Sequence, residues 1–302
     1  MRTLVIILLA AALLSSLPER APACSQCMCG TPFPSDVLGG VVPTQFTYGL
    51  EERYLSKSNA LDAGPGIEEE REHRIAAFAL WRPVNNLALI GRLPYNAKKI
   101  TSKPAGGASF DESSHGIGDA ELLAMIGVFH TSGVRSVAVG LVAGGAAPTG
   151  SNDAKGPDGD RLDAHLQPGS GAWSGTAGLN VAMVSGPGVW DASVLGRFND
   201  AGAHGYRYGS ALLYNAGFTS KPWGGVRLLA QVNGRVAKRD RLEDGTLGEN
   251  TGGAVTYLSP GLRWSGALGL AIEGAVQLPV IESLYGDQTE HTTARLTISM
   301  AR

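Results

Sequence analysis

Residues 226–235, VRLLAQVNGR, alternate between apolar and polar side chains, with Leu229 as the exception on the polar side. Such a period of two is typical of a β-strand with one apolar face and one polar face. The apolar face carries Val226, Leu228, Ala230 and Val232, and the polar face carries Arg227, Gln231, Asn233 and Arg235. This stretch therefore predicts a strand that separates two different environments.

The same alternation recurs on both sides of that stretch and predicts about twelve strands between residues 45 and 300. Ala294, Leu296 and Ile298, for example, alternate with Arg295 and Thr297. The predicted strands are Gln45–Ser56, Glu70–Arg82, Asn86–Asn96, Gly118–Thr131, Val134–Pro148, Ser170–Ser185, Gly188–Asn199, Arg207–Thr219, Trp223–Lys238, Gly252–Trp264, Ala267–Ile281 and Glu290–Met300.

The connections between these strands distinguish a membrane barrel from a soluble sandwich, which would show the same alternation. The odd-numbered connections, such as 57–69, 97–117 and 149–169, are predicted to be longer than the even-numbered ones, such as 83–85 and 186–187. Outer-membrane barrels have short periplasmic turns and longer external loops, and their strands are long. We therefore predict an all-β, antiparallel, up-and-down transmembrane barrel with both termini in the periplasm. A soluble periplasmic β protein is the alternative.

The N-terminus carries an export signal. A basic start is followed by the apolar run Leu4–Leu17, and Ala21-Pro22-Ala23 offers the small residues that signal peptidase accepts. We predict a signal peptide over residues 1–23, a periplasmic segment over 24–44 and the barrel over 45–302. An uncleaved N-terminal anchor is the alternative.

The overall composition agrees with an exported all-β protein in the bacterial outer membrane. The chain has 42 glycines and only 17% charged residues, and its formal net charge is -2. A chain without excess positive charge is a poor partner for nucleic acid. The predicted partners are outer-membrane lipid and a small-molecule solute, and the sequence leaves the oligomeric state open.

If the apolar faces contact lipid, the polar faces line the lumen. Arginines outnumber acids there, and a buried unpaired charge is costly. The sequence therefore favours a water-filled channel for small solutes with anion preference over a barrel sealed by internal ion pairs. The residues predicted to line the lumen and set its selectivity are Arg92, Arg197, Arg227, Arg235, Arg263, Arg295, Glu51, Glu121 and Glu273, with Arg53, Asp191, Asn215, Gln231, Asn233 and Gln277 beside them.

All three cysteines, Cys24, Cys27 and Cys29, lie within six residues of each other, directly after the predicted cleavage site. Three interpretations stay open: a soft-metal site for Cu(I) or Zn, a disulfide with one spare thiol, and lipidation of Cys24. The sequence indicates no other cofactor. An alternative function follows, in which a non-transporting barrel anchors this segment in the periplasm for metal, redox or partner binding.

Five short motifs together resemble the outer-membrane transporter family named for the meta-pathway of phenol degradation. The resemblance covers most of residues 45–302 and implies a barrel that passes small molecules. The final residues Ser299-Met300-Ala301-Arg302 depart from the terminal aromatic residue common in such barrels. The motifs are Arg92-Leu93-Pro94-Tyr95, Gly116-Ile117-Gly118-Asp119, Ala147-Pro148-Thr149-Gly150, Gln167-Pro168-Gly169-Ser170-Gly171 and Leu258-Ser259-Pro260-Gly261-Leu262.

An enzymatic function is the third alternative, because outer-membrane phospholipases are also twelve-stranded barrels. Those enzymes place a histidine and a serine on one strand face. Of the six histidines, His130 alone is followed by a serine two residues later, and that serine, Ser132, lies in the predicted tight turn after the strand rather than on a strand face. The sequence therefore predicts a protein that is not an enzyme.

Overall fold

All twelve predicted strands form in the computed structural model, which describes residues 22–23, 45–61, 65–202 and 204–302. We number the barrel strands β1 to β12, and β4 and β12 each consist of two segments. The strands are β1 Phe46–Ala60, β2 Gly66–Val84, β3 Leu87–Pro104, β4 Phe110–Ile117 with Ala120–His130, β5 Ser136–Ala147, β6 Ser174–Ser185, β7 Gly188–Asn199, β8 Ala211–Ser220, β9 Val226–Ala237, β10 Gly252–Ser265, β11 Leu270–Leu284 and β12 Thr289–Glu290 with Thr293–Ala301.

Antiparallel pairing of each strand with the next closes the sheet into a barrel. The closing pair is β12 with β1, in a register that runs from Ala294 opposite Tyr54 to Ala301 opposite Thr47. The Phe46 amide donates to the Arg302 carbonyl at 3.1 Å and extends this seam. The predicted up-and-down barrel is thus confirmed. The start of β1 and the end of β12 both lie at the end of the barrel that carries the short turns. The periplasmic location of this end stays a prediction.

The two faces of the barrel have opposite character. Leu228, assigned to the outer face, is 61% exposed, whereas Gln231 on the inner face is 4% exposed. Trp190 and Phe218 pack with ring centroids 4.6 Å apart near the short-turn end. The outer face is a continuous apolar surface suited to lipid. It includes Leu50, Leu122, Leu179, Leu262 and Leu296.

Among the described residues, no helix is both long and apolar enough to cross a membrane. Within the described part of the chain, helical structure consists of two 3-10 turns, Ala164–Leu166 and Ala267–Gly269. Pro22 and Ala23 form a two-residue strand that pairs with Gly253 and Gly252 of β10.

Two predicted external loops are mostly strand, which corrects their predicted bounds. Residues 57–69 and 97–117 were expected to be loops, but only 61–65 and 105–109 separate the strands there. Every residue of Glu68–Arg74 is charged or histidine, yet from Glu70 onward its side chains alternate between a buried inner and a more exposed outer position, so this run forms part of β2. The β1–β2 and β3–β4 hairpins extend the barrel wall, because charged strands can pair beyond the lipid as well as within it.

The connection between β5 and β6, residues 148–173, is the longest in the barrel domain and folds into the barrel mouth. Its 3-10 turn Ala164–Leu166 places Leu166 against Ile100 of β3 in one apolar cluster. Ala164 joins a second cluster that includes the inner-wall residues Leu123 and Leu195. We call residues 148–173 the inserted loop.

Candidate functional site in the barrel lumen

The structure places the predicted lumen residues on the inner face of the barrel. Most have little solvent exposure, and Arg197 and Arg227 are intermediate. The buried members of the predicted set are Glu51, Arg92, Glu121, Arg235, Arg263, Glu273 and Arg295, together with Arg53, Asp191, Asn215, Gln231, Asn233 and Gln277. Their role in selectivity stays a prediction.

One ion-pair network joins side chains from four strands of the wall, β1, β3, β4 and β7. Arg92 on β3 donates to Glu51 on β1 at 2.7 Å, and Arg53 donates to the same carboxylate oxygen at 3.0 Å. Glu121 on β4 lies 4.0 Å from Arg92 and 3.7 Å from Arg197 of β7. Two carboxylates are thus shared among three arginines, and the network carries net positive charge.

Two further groups of ion pairs lie on β9 to β12. Arg295 and Arg263 contact the two oxygens of Glu273 at 2.7 and 3.3 Å. Arg235 donates to Glu290, which also accepts the Tyr257 hydroxyl at 3.0 Å. The sequence argument assumed that many arginines would lack acidic partners, but six of the seven lie within ion-pair distance of a carboxylate.

The sequence analysis missed the charges nearest the loop end of the wall. Glu70 forms an ion pair with Lys57 at an N–O distance of 2.8 Å, and Glu72 forms one with Arg74 at 2.7 Å. Glu70, Glu72 and Arg74 lie in the predicted strand Glu70–Arg82 but were not assigned to the lumen, because the unbroken run of charged residues shows no alternation that would mark an inner face. Glu290, at the predicted start of β12, was missed as well.

The inserted loop is held to the wall by hydrogen bonds to its backbone. Lys98 Nζ donates to the His165 carbonyl at 2.8 Å, and Asn96 Nδ2 donates to the Pro168 carbonyl at 2.6 Å. The Ser114 hydroxyl donates to the Leu166 carbonyl. Because the donors come from β3 and β4, they fix the loop to one side of the barrel mouth.

Asp119, between the two segments of β4, clamps both ends of the inserted loop. Its carboxylate accepts the Gly150 amide at 3.0 Å, the Ser170 amide at 2.8 Å and the Ser170 hydroxyl. A Cβ atom on Gly150 would lie 2.7 Å from Gly169 Cα and 2.8 Å from the Gly118 carbonyl carbon. The backbone segments at residues 118, 150 and 169 approach so closely that only glycine fits at position 150. We call Asp119, Gly118, Gly150, Gly169 and Ser170 the loop clamp.

A second contact joins the inserted loop to two other external loops. The Tyr206 hydroxyl donates to Asp240 at 2.7 Å and lies 2.8 Å from His165 Nε2, while Asp240 also accepts the Gly209 amide at 2.7 Å. Burial raises the pKa of Asp240 above its ordinary value, and the nearby His165 opposes that rise. Three loops therefore meet at one buried carboxyl group.

A cavity of about 580 Å³ opens beside these loops, above the ion pairs of β1 and β2. Its wall includes Glu68, Glu112, Asp163 and Glu249, with Leu247 on the loop side. Acidic residues at the mouth and shared arginines farther along the wall give the lumen two regions of opposite charge.

The sequence of the chain matches the family model described as the MetA-pathway of phenol degradation over residues 57–283. The chain belongs to this family. No curated protein matches the chain.

A solved structure shows the same architecture for this member of the MetA-pathway family. An outer membrane channel from Pseudomonas putida F1 is 14% identical, with a TM-score of 0.64, over 90% of this chain and 100% of that chain. The translocator domain of the autotransporter NalP from Neisseria meningitidis is 12% identical over 89% of this chain and 92% of its own, with a TM-score of 0.47. The first likeness shows the fold, and the chain is an outer-membrane β-barrel.

Four of the five motifs that carry the family resemblance meet at the loop clamp. Asp119, Gly150 and Ser170 come from three of them, and the Pro94 carbonyl of a fourth accepts the Gly118 amide at 2.8 Å. Sequence reasoning found these motifs without assigning them a role. The structure shows that they hold the inserted loop of this MetA-pathway barrel in the mouth.

Two remaining predictions concern metal binding and catalysis. Cys24, Cys27 and Cys29 lie outside the described residues, so their metal, disulfide or lipid chemistry stays a prediction. On the outer face, Ser56 and Ser58 hydroxyls lie 3.2 and 3.4 Å from the two ring nitrogens of His291. Among the described side chains no carboxylate orients that ring, as a hydrolase triad requires.

Proposed function

We propose that this barrel is a passive channel for small solutes, with a charged lumen whose mouth is narrowed by the inserted loop. The observation that carries the proposal is the contrast between the two barrel faces. An apolar outer surface suits lipid, while arginine, glutamate and amide side chains cover much of the inner wall. Polar side chains on the inner wall are stabilised by contact with water or a polar solute, as in the lumen of a channel.

The P. putida F1 relative is named as an outer membrane channel, which supports the same interpretation for this chain. The inserted loop supports a restricted rather than a wide path. Lys98, Asn96 and Ser114 hold it inside the mouth. Size selection at a loop constriction would precede charge selection by the wall.

Ion selectivity is expected to be weakly in favour of anions. Glu51 and Glu121 are shared among three arginines, so positive charge exceeds negative charge in that part of the wall. Arg227 also faces the lumen with intermediate exposure. The preference should be modest because the acidic mouth opposes it and most arginines are already in ion pairs.

Reconstitution in planar lipid bilayers tests the proposal. The protein should give discrete single-channel conductance, and the reversal potential in a salt gradient should favour anions. Arg227→Gln should weaken that preference while leaving conductance measurable. A barrel that is folded, as shown by its heat-dependent gel mobility, but gives no conductance would refute transport.

A further inference from the structure

Three arginines lie together on the external loops that connect β7 to β8 and β9 to β10. Arg207 and Arg241 face each other across an isolated antiparallel bridge, in which each amide donates to the carbonyl of the other residue at 2.9 Å. Arg239 precedes Arg241 by two residues, so both side chains leave the same face of this extended segment. We call Arg207, Arg239 and Arg241 the arginine patch.

The residues that alternate with the patch along the chain show that it points away from the barrel mouth. Tyr206, Tyr208 and Asp240 alternate with the arginines, and all three are buried. The Tyr206 hydroxyl donates to Asp240 at 2.7 Å on the inner side of the loops. Because side chains alternate between the two faces of extended backbone, the arginines lie on the outer side. Arg207 and Arg241 are exposed there.

The positive charges of the patch have no acidic partner within ion-pair distance in the part of the chain that the structure describes. The acids of the same loop have other partners, since Glu243 pairs with Arg161 of the inserted loop and Asp244 accepts the Thr246 amide at 2.8 Å. Like charges directly opposite each other in an antiparallel pair destabilise that pair. An anion bound between Arg207 and Arg241 would therefore stabilise the two loops.

Two contacts hold guanidinium groups of the patch in place. Arg241 Nη1 donates to the Gly245 carbonyl at 2.7 Å. The Arg239 guanidinium carbon lies 4.1 Å from the centroid of the Tyr285 ring, and Arg239 Nε is buried without a hydrogen-bond partner among the described residues. A fixed guanidinium group loses less freedom on binding an anion than a mobile one, and its planar fork matches two phosphate oxygens.

Other cations on the outer face differ from the patch because they are neutralised. Arg71 and Lys99, near the external ends of β2 and β3, pair with Glu69 at 3.2 Å and with Asp111 at 2.7 Å. These pairs carry no net charge, whereas the patch carries three positive charges. Opposite charge in a ligand is therefore expected to favour the patch over the paired cations.

The patch lies directly beyond the lipid-facing surface of β8 and β9. Leu212 lies opposite Val236 in the last outer apolar row of this pair of strands. Arg207 precedes Leu212 by five residues, and Arg239 follows Val236 by three. Lipid headgroups lie at this level, just outside the hydrocarbon core. Clusters of basic side chains at that level attract anionic lipids.

We propose that the arginine patch binds the phosphate groups of a phosphorylated glycolipid in the external leaflet. The guanidinium groups of Arg207 and Arg241 donate to the phosphate oxygens, while the acyl chains of the lipid contact the outer surface below, at Leu212 and Val236. The site lies outside the lumen, so it adds a lipid partner to the proposed channel and does not depend on passage of a solute.

Native mass spectrometry of the purified barrel in nonionic detergent tests this site. Lipid A is the probe, and fully dephosphorylated lipid A is the same molecule without the anionic groups. The unchanged barrel should bind lipid A at least tenfold more tightly than the dephosphorylated form. The double variant Arg207→Gln, Arg241→Gln should weaken lipid A binding at least tenfold, which corresponds to about 1.4 kcal/mol, and should leave binding of the dephosphorylated form unchanged.

The control is the double variant Arg71→Gln, Lys99→Gln, which removes the same number of positive charges from exposed outer-face positions. It should bind lipid A as the unchanged protein does, and heat-dependent gel mobility checks that each variant is folded. Equal binding of the two lipid forms would mean that only the acyl chains are recognised. An equal loss in both double variants would mean that overall charge, not the patch, attracts the lipid. Displacement of lipid A by inorganic phosphate at equal concentration would identify a site for free phosphate. Each of these three results overturns the proposal.

Discussion

Removing the Asp119 carboxylate should release the inserted loop from the barrel mouth. Asp119 accepts hydrogen bonds from Gly150 and Ser170 at both ends of that loop. A hydrogen bond to a charged group contributes about 1.5–3 kcal/mol, and the half-exposed position of Asp119 favours the lower end of that range. For three such bonds the Asp119→Ala change should destabilise the docked loop by about 3–5 kcal/mol.

That loss corresponds to an increase of about two to four orders of magnitude in the population with a released loop. Hydrogen exchange of the Gly150 and Ser170 amides should accelerate accordingly, while exchange in the barrel strands stays unchanged. Single-channel conductance should rise, because the mouth widens. Asp119→Asn, which keeps an acceptor oxygen, should give a smaller effect.

Asp158→Ala is the matched control, because Asp158 lies in the same loop and accepts a single bond, from the Asp160 amide at 3.2 Å. This variant should leave both exchange and conductance unchanged. Equal exchange rates at Gly150 in the Asp119→Ala and unchanged proteins would refute the clamp. Accelerated exchange without any change in conductance would show that the docked loop does not limit the path.

Three further predictions concern the wall and the loops. Leu228→Arg on the lipid face should destabilise the barrel by about 2–4 kcal/mol in urea unfolding from vesicles, and Leu228→Ala should cost clearly less. Arg235→Gln should cost about 3–5 kcal/mol because it leaves Glu290 buried without its cation, and the double variant with Glu290→Gln should recover most of that loss. Burial raises the pKa of Asp240, so loop packing should be strongest at low pH and weaken as the pH rises through that raised pKa. Asp240→Asn should flatten this pH dependence in loop hydrogen exchange, and an unchanged profile would contradict the assignment.

The sequence predicted the barrel well because the bilayer imposes a simple rule on each strand. Every second residue must suit lipid, and residues 226–237 show that rule without exception on the outer face. Gly188–Asn199 was predicted with its observed bounds. Strand ends outside the lipid follow no such rule, so Gly66–Val84 extends beyond the predicted Glu70–Arg82 at both ends.

The lumen could be predicted residue by residue but not pair by pair. Alternation shows that Arg92 and Glu121 face inward, whereas their contact depends on how far the strands are staggered around the barrel. The docking of the inserted loop in the barrel mouth could not be predicted from alternation. Its Gly150 and Ser170 were visible as parts of motifs, but their partner Asp119 lies between the two segments of β4, and no periodicity links them.

The seam between the first and last strands has a consequence for how the protein is made. Thr47 pairs with Ala301 of β12, so the ring cannot close before β12 has been synthesised. Contacts between such distant parts of a chain form slowly, and an open sheet edge is not tolerated in lipid. Biogenesis therefore has to keep nearly the whole polypeptide unfolded until its C-terminal strand arrives. A nascent chain stalled short of β12 would be a substrate for proteases rather than an immature pore.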